Sequence, residues 1–346
     1  MTTLNLWQEE FRNALRNTKD LELFFEKKFP KLKDYPVFLP KSFAEKVKKL
    51  GESGPLWKQF LPDIKEKEAK GFTDPIGDQE NNTAPQLIHR YKNRALFTPT
   101  TICPVLCRYC FRKNELNQKL TLFKPELEKT IQYLKDHPEI EELIFTGGDP
   151  FILSDQQLSF YIEQFSKIKS LKYLRFHTRT PVIIPSRVTE NLIALLKKAK
   201  NNFNNVSLAI HTNHENEIDT EVEKALLKLK ESGVMLLAQT VLLKGVNDSG
   251  PALKTLFSKL IDLGIRPYYL HHPDQAKGTT HFYLELEEGR HIYSQLRDHL
   301  PGWAIPSYII DIPGGEGKVS AFNPETYEFS GNLINRKGEI VKHLTE

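Results

Sequence analysis

The sequence predicts an α/β protein, a TIM-like full or partial barrel of the (β/α)6 type that follows an N-terminal helical extension. From residue 95 onward, short β-branched or apolar runs alternate with amphipathic helical patterns, which is typical of parallel βα units. Six successive βα units are too many for a ferredoxin-like fold. No glycine-rich dinucleotide fingerprint follows the first strand, so a Rossmann fold is not predicted either.

The predicted elements alternate regularly. Ser154 with Gln157 and Thr220 with Glu223 have capping-box spacing at the start of two helices. Residues 253–261 carry an apolar stripe at i, i+3, i+4, i+7 and i+8, which predicts a third amphipathic helix. In such barrels the chemistry gathers at the carboxyl ends of the strands. The candidate strands are ALFTPTT, ELIFTG, YLRFHT, VSLAIH, VMLLAQTVLL and RPYYLH, with YIIDI as a possible seventh.

Four segments are predicted along the chain. Residues 1–75 are helical and charged, with periodic apolar positions in LWQEEFRNAL and SFAEKVKKL. Residues 76–94 form a turn-rich linker, residues 95–320 form the barrel, and residues 321–346 are a short C-terminal extension.

Composition limits the classes of function. The 346 residues are 39% hydrophobic, and 48 Lys and Arg oppose 44 Asp and Glu in scattered order, which does not call for a nucleic-acid partner. No apolar run approaches the roughly 18 residues of a membrane span. The N-terminus lacks the basic and apolar regions of a signal peptide. We therefore expect a cytoplasmic protein without a membrane partner.

The three cysteines of the chain, Cys103, Cys107 and Cys110, fall in one C-x3-C-x2-C loop. An odd number in one short loop favours a metal site over a disulfide framework. A structural zinc ion needs four ligands, and no histidine lies inside the motif, so zinc would require a distant histidine. An iron–sulfur cluster is also held by thiolates, and a four-iron cluster held by three would leave one iron open. Three unrelated buried cysteines are the remaining alternative.

The cysteine loop resembles the radical S-adenosylmethionine (SAM) motif, because an aromatic residue, Tyr109, precedes its last cysteine. The resemblance implies a 4Fe-4S cluster with three cysteine ligands, whose open iron binds SAM. One βα unit later, TGGDP resembles the glycine-rich segment whose backbone approaches the methionyl amino group of SAM. It contains Gly147, Gly148 and Asp149.

The distal segment DIPGGEGK fails the test for a Walker A loop, since Ile312 and Val319 occupy the positions that need Gly and Ser or Thr. It resembles the pyridoxal 5′-phosphate (PLP) lysine loop of the lysine 2,3-aminomutase family. That resemblance makes Lys318 the residue that attaches PLP, and the neighbouring glycines would allow close approach.

The resemblance to this family runs from about residue 72 to about residue 320. It assigns HRYKNR, in the 76–94 segment, to the PLP phosphate, and it assigns CFRK to the substrate carboxylate. The IHTNHENE and AQTVLLKGVND segments carry expected SAM contacts, and RPYYLHHPD and YIIDI carry two aspartates for the distal ammonium of the substrate. In this sequence the implied residues are Arg90, Tyr91, Arg94, Arg112, His211, Gln239, Asp274 and Asp311.

The resemblance implies a radical SAM isomerase that converts L-lysine to β-lysine. It is nearest to the short branch whose product is attached to elongation factor P. An electron donor such as flavodoxin or ferredoxin is expected as a partner, and an oligomer is possible. Two alternatives stay open: an aminomutase for another amino acid such as glutamate, and a non-catalytic metal-binding module.

Overall fold

The computed structural model of the protein describes residues 5–32, 35–116, 125–313, 315, 317–322, 332–334 and 340–342. Most of the predicted C-terminal extension lies outside these residues, as do Gly314 and Glu316 of the predicted PLP loop. The helices are α1 Leu6–Arg12, α2 Thr18–Phe25, α3 Lys41–Leu50, α4 Pro55–Phe60, α5 Leu127–Asp136, α6 Asp155–Ser166, α7 Thr180–Ile183, α8 Glu190–Lys200, α9 Thr220–Glu231, α10 Gly250–Asp262 and α11 Leu286–Arg297.

One sheet of ten strands forms the frame of the protein, with the strands in chain order. Its strands are β1 Asn82–Ala84, β2 Leu87–Tyr91, β3 Arg94–Phe97, β4 Glu142–Phe145, β5 Tyr173–Thr178, β6 Asn205–His211, β7 Met235–Val241, β8 Arg266–His271, β9 Ser307–Ile312 and β10 Gly317–Ser320. Strands β11 Asn332–Ile334 and β12 Ile340–Lys342 pair separately.

Strands β3 to β9 are parallel, and each is hydrogen-bonded to the next. Strands β1 and β2 extend this array antiparallel at one edge, and β10 does so at the other. Within the described residues β1 and β10 do not pair. The fold is therefore a partial TIM-like barrel, which confirms the predicted class and selects its open form.

All seven predicted strands are present, with differences at their ends. The first strand stops at Phe97, whereas ALFTPTT was predicted to continue to Thr101. The segment interpreted as a linker contributes β1 and β2 to the sheet.

The capping-box prediction is confirmed at Ser154 and wrong at Thr220. The N-cap of α9 is Asp219, whose carboxylate accepts a hydrogen bond from the backbone N–H of Val222. The aspartate one residue earlier thus satisfies a free amide of the first turn.

The barrel core lies between the sheet and helices α5 to α11. Phe97, Phe145, Phe165 and Phe176 are fully buried there in mostly edge-on contacts. Such packing fixes the strands, and hence the residues at their carboxyl ends.

The N-terminal helices form a second apolar cluster, which includes Leu21, Phe43 and Phe60 and packs against Val105 and Ile183 of the barrel. This region therefore contacts the loop that contains the cysteines. No helix of the described part of the chain is both long and apolar enough to cross a bilayer.

Candidate active site

A cavity of about 270 Å³ opens at the carboxyl ends of the parallel strands. Because the strands are parallel, the loops that follow them converge on this edge. Every residue that the sequence predicted for the site lines this cavity: Arg90, Tyr91, Arg94, Cys103, Cys107, Tyr109, Cys110, Arg112, Gly147, Gly148, Asp149, His211, Gln239, Asp274, Asp311 and Lys318.

The cysteine loop is fixed by contacts with the N-terminal region. Tyr35 donates a hydrogen bond from its hydroxyl to the backbone carbonyl of Cys107, 2.8 Å away. The backbone N–H of Arg108 donates to the carbonyl of Gln59, and its guanidinium forms two bonds to the carboxylate of Glu66. Both the backbone and a side chain of the cysteine loop are therefore hydrogen-bonded to the N-terminal region.

The three thiols suit a metal–sulfur group larger than one ion. Burial raises the pKa of all three thiols, that of Cys110 to about 12, so thiolates here require a nearby cationic metal. Among the described residues, no three Cys, His, Asp or Glu side chains converge closely enough to hold a single metal ion. All three cysteines line the cavity, and their thiols are the ligands that an iron–sulfur cluster uses.

The glycines of TGGDP make room for the cysteine loop itself. A Cβ on Gly148 would lie 2.3 Å from the carbonyl oxygen of Ile102, and one on Gly147 would lie 2.6 Å from that of Thr100. The backbone N–H of Gly148 donates to Thr100, and that of Asp149 donates to Ile102. This close packing is an additional reason for two glycines at the end of β4.

Asp149 joins the carboxyl ends of β4 and β5. Its buried carboxylate accepts from the backbone N–H groups of Phe151, Arg179 and Thr180 and from the hydroxyl of Thr178. The partners Thr178, Arg179 and Thr180 belong to the end of β5 and the loop after it, so Asp149 joins that loop to its own loop after β4.

Arg179 is a site residue that the sequence reasoning did not single out. Its Nη1 lies 3.4 Å from the Sγ of Cys107, and its Nη2 donates to the carboxylate of Glu217 at 2.7 Å. Gln59 also accepts a hydrogen bond from Nη2. A cationic donor at a ligand sulfur is one of the features that tune cluster potentials. Its position directly after the predicted strand YLRFHT, at the carboxyl end of a barrel strand, was the only available signal.

Tyr109 and His211 form a pair on the wall of the cavity. The tyrosine hydroxyl lies 2.7 Å from His211 Nε2, and the two rings are stacked. Burial lowers the pKa of His211 well below its usual range, with a smaller contribution from Arg179. His211 is therefore neutral. Gln239, on β7, lies directly opposite His211 in the sheet register.

A chain of alternating charges crosses the cavity. The ammonium of Lys318 contacts the carboxylate of Asp311, which also accepts from Nη1 of Arg90. Nη2 of Arg90 donates to Asp78 at 3.1 Å, and Asp78 in turn accepts two hydrogen bonds from Arg112. The carboxylates of Asp78 and Asp311 are 0% and 3% exposed. The pairing allows five charged groups to share a buried site.

Asp274 lies beside this chain on the loop after β8. Burial, followed by the neighbouring charge of Asp311, raises its pKa to about 7, although Lys318 acts in the opposite direction. Two close carboxylates in a buried site repel each other unless a cation lies between them. This end of the cavity therefore attracts a positive charge.

The β9–β10 hairpin places Lys318 directly opposite Asp311. The backbone N–H of Lys318 donates to the hydroxyl of Tyr91, 2.7 Å away, and Arg94 lies over the Tyr91 ring at 3.8 Å. Gly317 has φ +94° and is so close to Tyr91 that a Cβ would lie 2.8 Å from its hydroxyl. The predicted PLP lysine, on the edge strand β10, thus contacts Tyr91, one of the predicted phosphate residues, which lie near the opposite edge of the sheet.

Several cavity residues were missed. His177 and His271 stand at the ends of β5 and β8, each with a buried Nε2 that has no hydrogen-bond partner among the described residues. Asp78 lies in a stretch that the sequence interpretation treated as a turn-rich connection. An isolated aspartate among turn residues carries no signal of burial, so only the fold could reveal its role.

Comparison with known proteins agrees with this site. The profile of the Radical SAM superfamily matches residues 97–253. The L-lysine 2,3-aminomutase of Haemophilus influenzae is 37% identical over 90% of this chain and 94% of its own length. That of Methanococcus maripaludis is 34% identical over 99% of this chain and 82% of its own length. Streptococcus suis SuiB bound to S-adenosylmethionine superposes with a TM-score of 0.48 at 16% identity, covering 75% of this chain and 62% of that chain.

The partial barrel and its cysteine loop thus define a radical SAM protein. Within that class, the chain belongs to the L-lysine 2,3-aminomutase family. The family implies a 4Fe-4S cluster, SAM and PLP.

Proposed function

We propose that this protein converts L-lysine to β-lysine by a 2,3-amino migration. The observation that carries the proposal is the charge pattern of the cavity: Asp274 and Asp311 line it after β8 and on β9, and Arg112 lines it two residues after the last cysteine. Lysine has an ammonium at one end and a carboxylate at the other, so this pattern matches the signs of both its charges.

The proposed cofactor sites agree with the residues present. Cys103, Cys107 and Cys110 would hold the cluster, and Lys318 would attach PLP, with Arg90 and Arg94 near its phosphate. When bound, the cluster with SAM supplies a hydrogen-abstracting adenosyl radical, and PLP supplies a conjugated ring that delocalises an unpaired electron.

The protein side chains orient the substrate and neutralise its charges. In the ligand-free protein Asp311 already accepts one alkylammonium, that of Lys318. Lys318, which would hold PLP, would give up this contact, and Asp311 and Asp274 would then pair with the distal ammonium of the substrate. Arg112 would hold the carboxylate, and the buried lining of the cavity would keep water from the reacting carbons.

A glutamate aminomutase is disfavoured by the same observation, because a second carboxylate beside Asp274 and Asp311 would be repelled. We further propose that the protein works in the cytoplasm with a flavodoxin or ferredoxin as electron donor. Its use of cysteine, confined to the one loop, suits a reducing compartment.

The test is anaerobic reconstitution with iron, sulfide, PLP and SAM, followed by incubation with single amino acids and identification of the β-amino products. We expect β-lysine from lysine. Asp311→Asn and Asp274→Asn should each lower lysine turnover by at least about a hundredfold, since breaking one side of a buried pair costs roughly 3 to 5 kcal/mol.

The matched control is Asp155→Asn. Asp155 also pairs with a buried arginine, Arg187, but neither lines the cavity, so turnover should stay near that of the wild type. A preference of the wild type for glutamate, or normal turnover by both cavity variants, would overturn the proposed substrate.

A further inference from the structure

Asp78 is a fully buried carboxylate at the centre of the site, and the reaction proposed above gives it no role. Its side chain is 0% exposed, and it comes from the 71–86 stretch rather than from a barrel strand. One carboxylate oxygen accepts from both Nε and Nη2 of Arg112, at 2.8 and 2.7 Å. The other accepts from Nη2 of Arg90 at 3.1 Å.

We infer that Asp78 is a positioning residue that orients Arg112 toward the α-carboxylate of the substrate. The inference rests on the proposed function, and it extends that function to a residue outside the barrel. Asp78 would act on the substrate only through its two partners, Arg112 and Arg90.

The geometry of the guanidinium supports this role. A guanidinium has five N–H donors in one plane. Asp78 accepts hydrogen bonds from two of them, the N–H of Nε and one N–H of Nη2. The contacts of Nη1 are longer: 3.1 Å to the Thr146 hydroxyl and 3.3 Å to the Gly147 carbonyl. An incoming carboxylate would therefore replace the weak contacts at the outer end and leave the short ones to Asp78.

Without Asp78, Arg112 has another anionic partner. The charge of Glu115 lies close enough to contribute, after Asp78, to the raised pKa of Arg112. Glu115 is itself buried, and burial together with the charge of Asp78 raises its pKa to about 8, so loss of Asp78 would favour its ionised form. Loss of Asp78 would thus let the guanidinium turn toward Glu115 and away from the cavity.

The same carboxylate also connects the two halves of the site. Arg90 bridges Asp78 to Asp311, so the group that orients the predicted carboxylate-binding arginine also constrains the predicted distal anion. Arg90 also donates to Asp311 and to the carbonyl of Ile76, so the distal anion keeps its partner when Asp78 is replaced.

The experiment compares two ligands on the PLP-loaded holoenzyme. L-Lysine carries the α-carboxylate, and cadaverine has the same carbon chain and both amines without it. Binding of each is measured from the change in the visible spectrum of PLP. In Asp78→Asn, the apparent Kd for lysine should rise roughly tenfold or more, while the Kd for cadaverine should stay within about twofold. Asp78→Glu keeps the charge and should recover part of the affinity for lysine.

Asp155→Asn is the control for loss of a carboxylate beside a buried arginine, and both ligands should bind it as they bind the wild type. An equal loss for lysine and cadaverine in Asp78→Asn, or unchanged or tighter lysine binding, would overturn the inference. If Asp78→Asn does not fold, Asp78→Glu carries the same test, with a smaller loss expected for lysine alone. A wild-type protein that shows no spectral response to lysine would refute the proposed function, and the inference with it.

Discussion

Asp274 and Asp311 close the same end of the cavity but differ in their partners. Asp311 is paired with Arg90 and Lys318, whereas Asp274 lies beside these groups with its pKa raised to about 7. Asp274 therefore changes its protonation state near neutral pH. The sequence identifies both residues through their motifs, but it does not reveal this difference, which follows from burial and from the distance between the two charges.

Lysine binding should consequently depend on the ionisation of Asp274. The ammonium of lysine favours the carboxylate form, so the apparent affinity should rise by roughly tenfold as the pH increases from 6 to 8. Spectral titration of the PLP holoenzyme with lysine measures this change. Asp274→Asn should bind weakly and show only the slope that comes from the amino groups of lysine.

The effect of pH on folding stability has the opposite sign to its effect on lysine affinity. The folded, ligand-free pKa of Asp274 lies above its unfolded value of about 3.9. The folded state therefore retains a proton that the unfolded state releases, and this contribution to stability is lost as the pH rises toward 7.

For the binding prediction, an affinity for lysine that rises equally steeply in the wild type and in Asp274→Asn would contradict the assignment.

At the scale of elements, the site depends on two loops that pack together with almost no space between them. The loop after β3 carries the cysteines, and the loop after β4 carries the glycines, joined by backbone hydrogen bonds at Gly148 and Asp149. The order and type of these elements follow from the sequence periodicity. The contact between them joins positions nearly fifty residues apart, so the sequence alone could not show which atoms the glycines accommodate.

Gly148→Ala should displace the cysteine loop, because its new Cβ would meet the Ile102 carbonyl, a backbone atom that cannot rotate away. We expect loss of most of the bound iron and a destabilisation of about 1 to 3 kcal/mol. Iron analysis, electron paramagnetic resonance of the reduced cluster and thermal unfolding measure these effects.

Gly302→Ala is the matched control, since no atom lies within 4 Å of its built Cβ. It should retain its iron. A Gly148→Ala protein with a full cluster and unchanged stability would show that the two loops have room to separate.

At the scale of the whole molecule, the N-terminal helices hold the cysteine loop from outside the barrel. The side chain of Glu66 is 2% exposed and binds both Arg108 and Lys113, which lie on either side of Cys110 in the sequence. Gln59 reaches further, to Glu217 and Arg179. The sequence predicts a helical N-terminal region but gives no reason to connect it with the cluster.

Replacement of Glu66 by Gln should leave two buried cations without their shared carboxylate. We expect a destabilisation of about 3 kcal/mol or more, together with loss of bound iron. Anaerobic urea unfolding followed by circular dichroism measures the first, and iron analysis the second.

The exposed pair of Lys27 and Glu52 supplies the control. Its side chains are 41% and 59% exposed, so Glu52→Gln should change stability by less than about 1 kcal/mol. Equal effects of the two substitutions would mean that the N-terminal region does not support the cysteine loop.

The sequence by itself determined the class of fold, the order of the strands and the identity of the cysteine, glycine and lysine motifs. These features depend on the periodicity and spacing of residues that are close in sequence, so they can be recognised without the structure. The tertiary structure alone decided that the barrel is open, that Asp78 joins Arg112 to Arg90, and that Arg179 reaches Cys107. Those features arise where segments distant in sequence become buried together, because a buried charge must find a partner in space, wherever that partner lies along the chain.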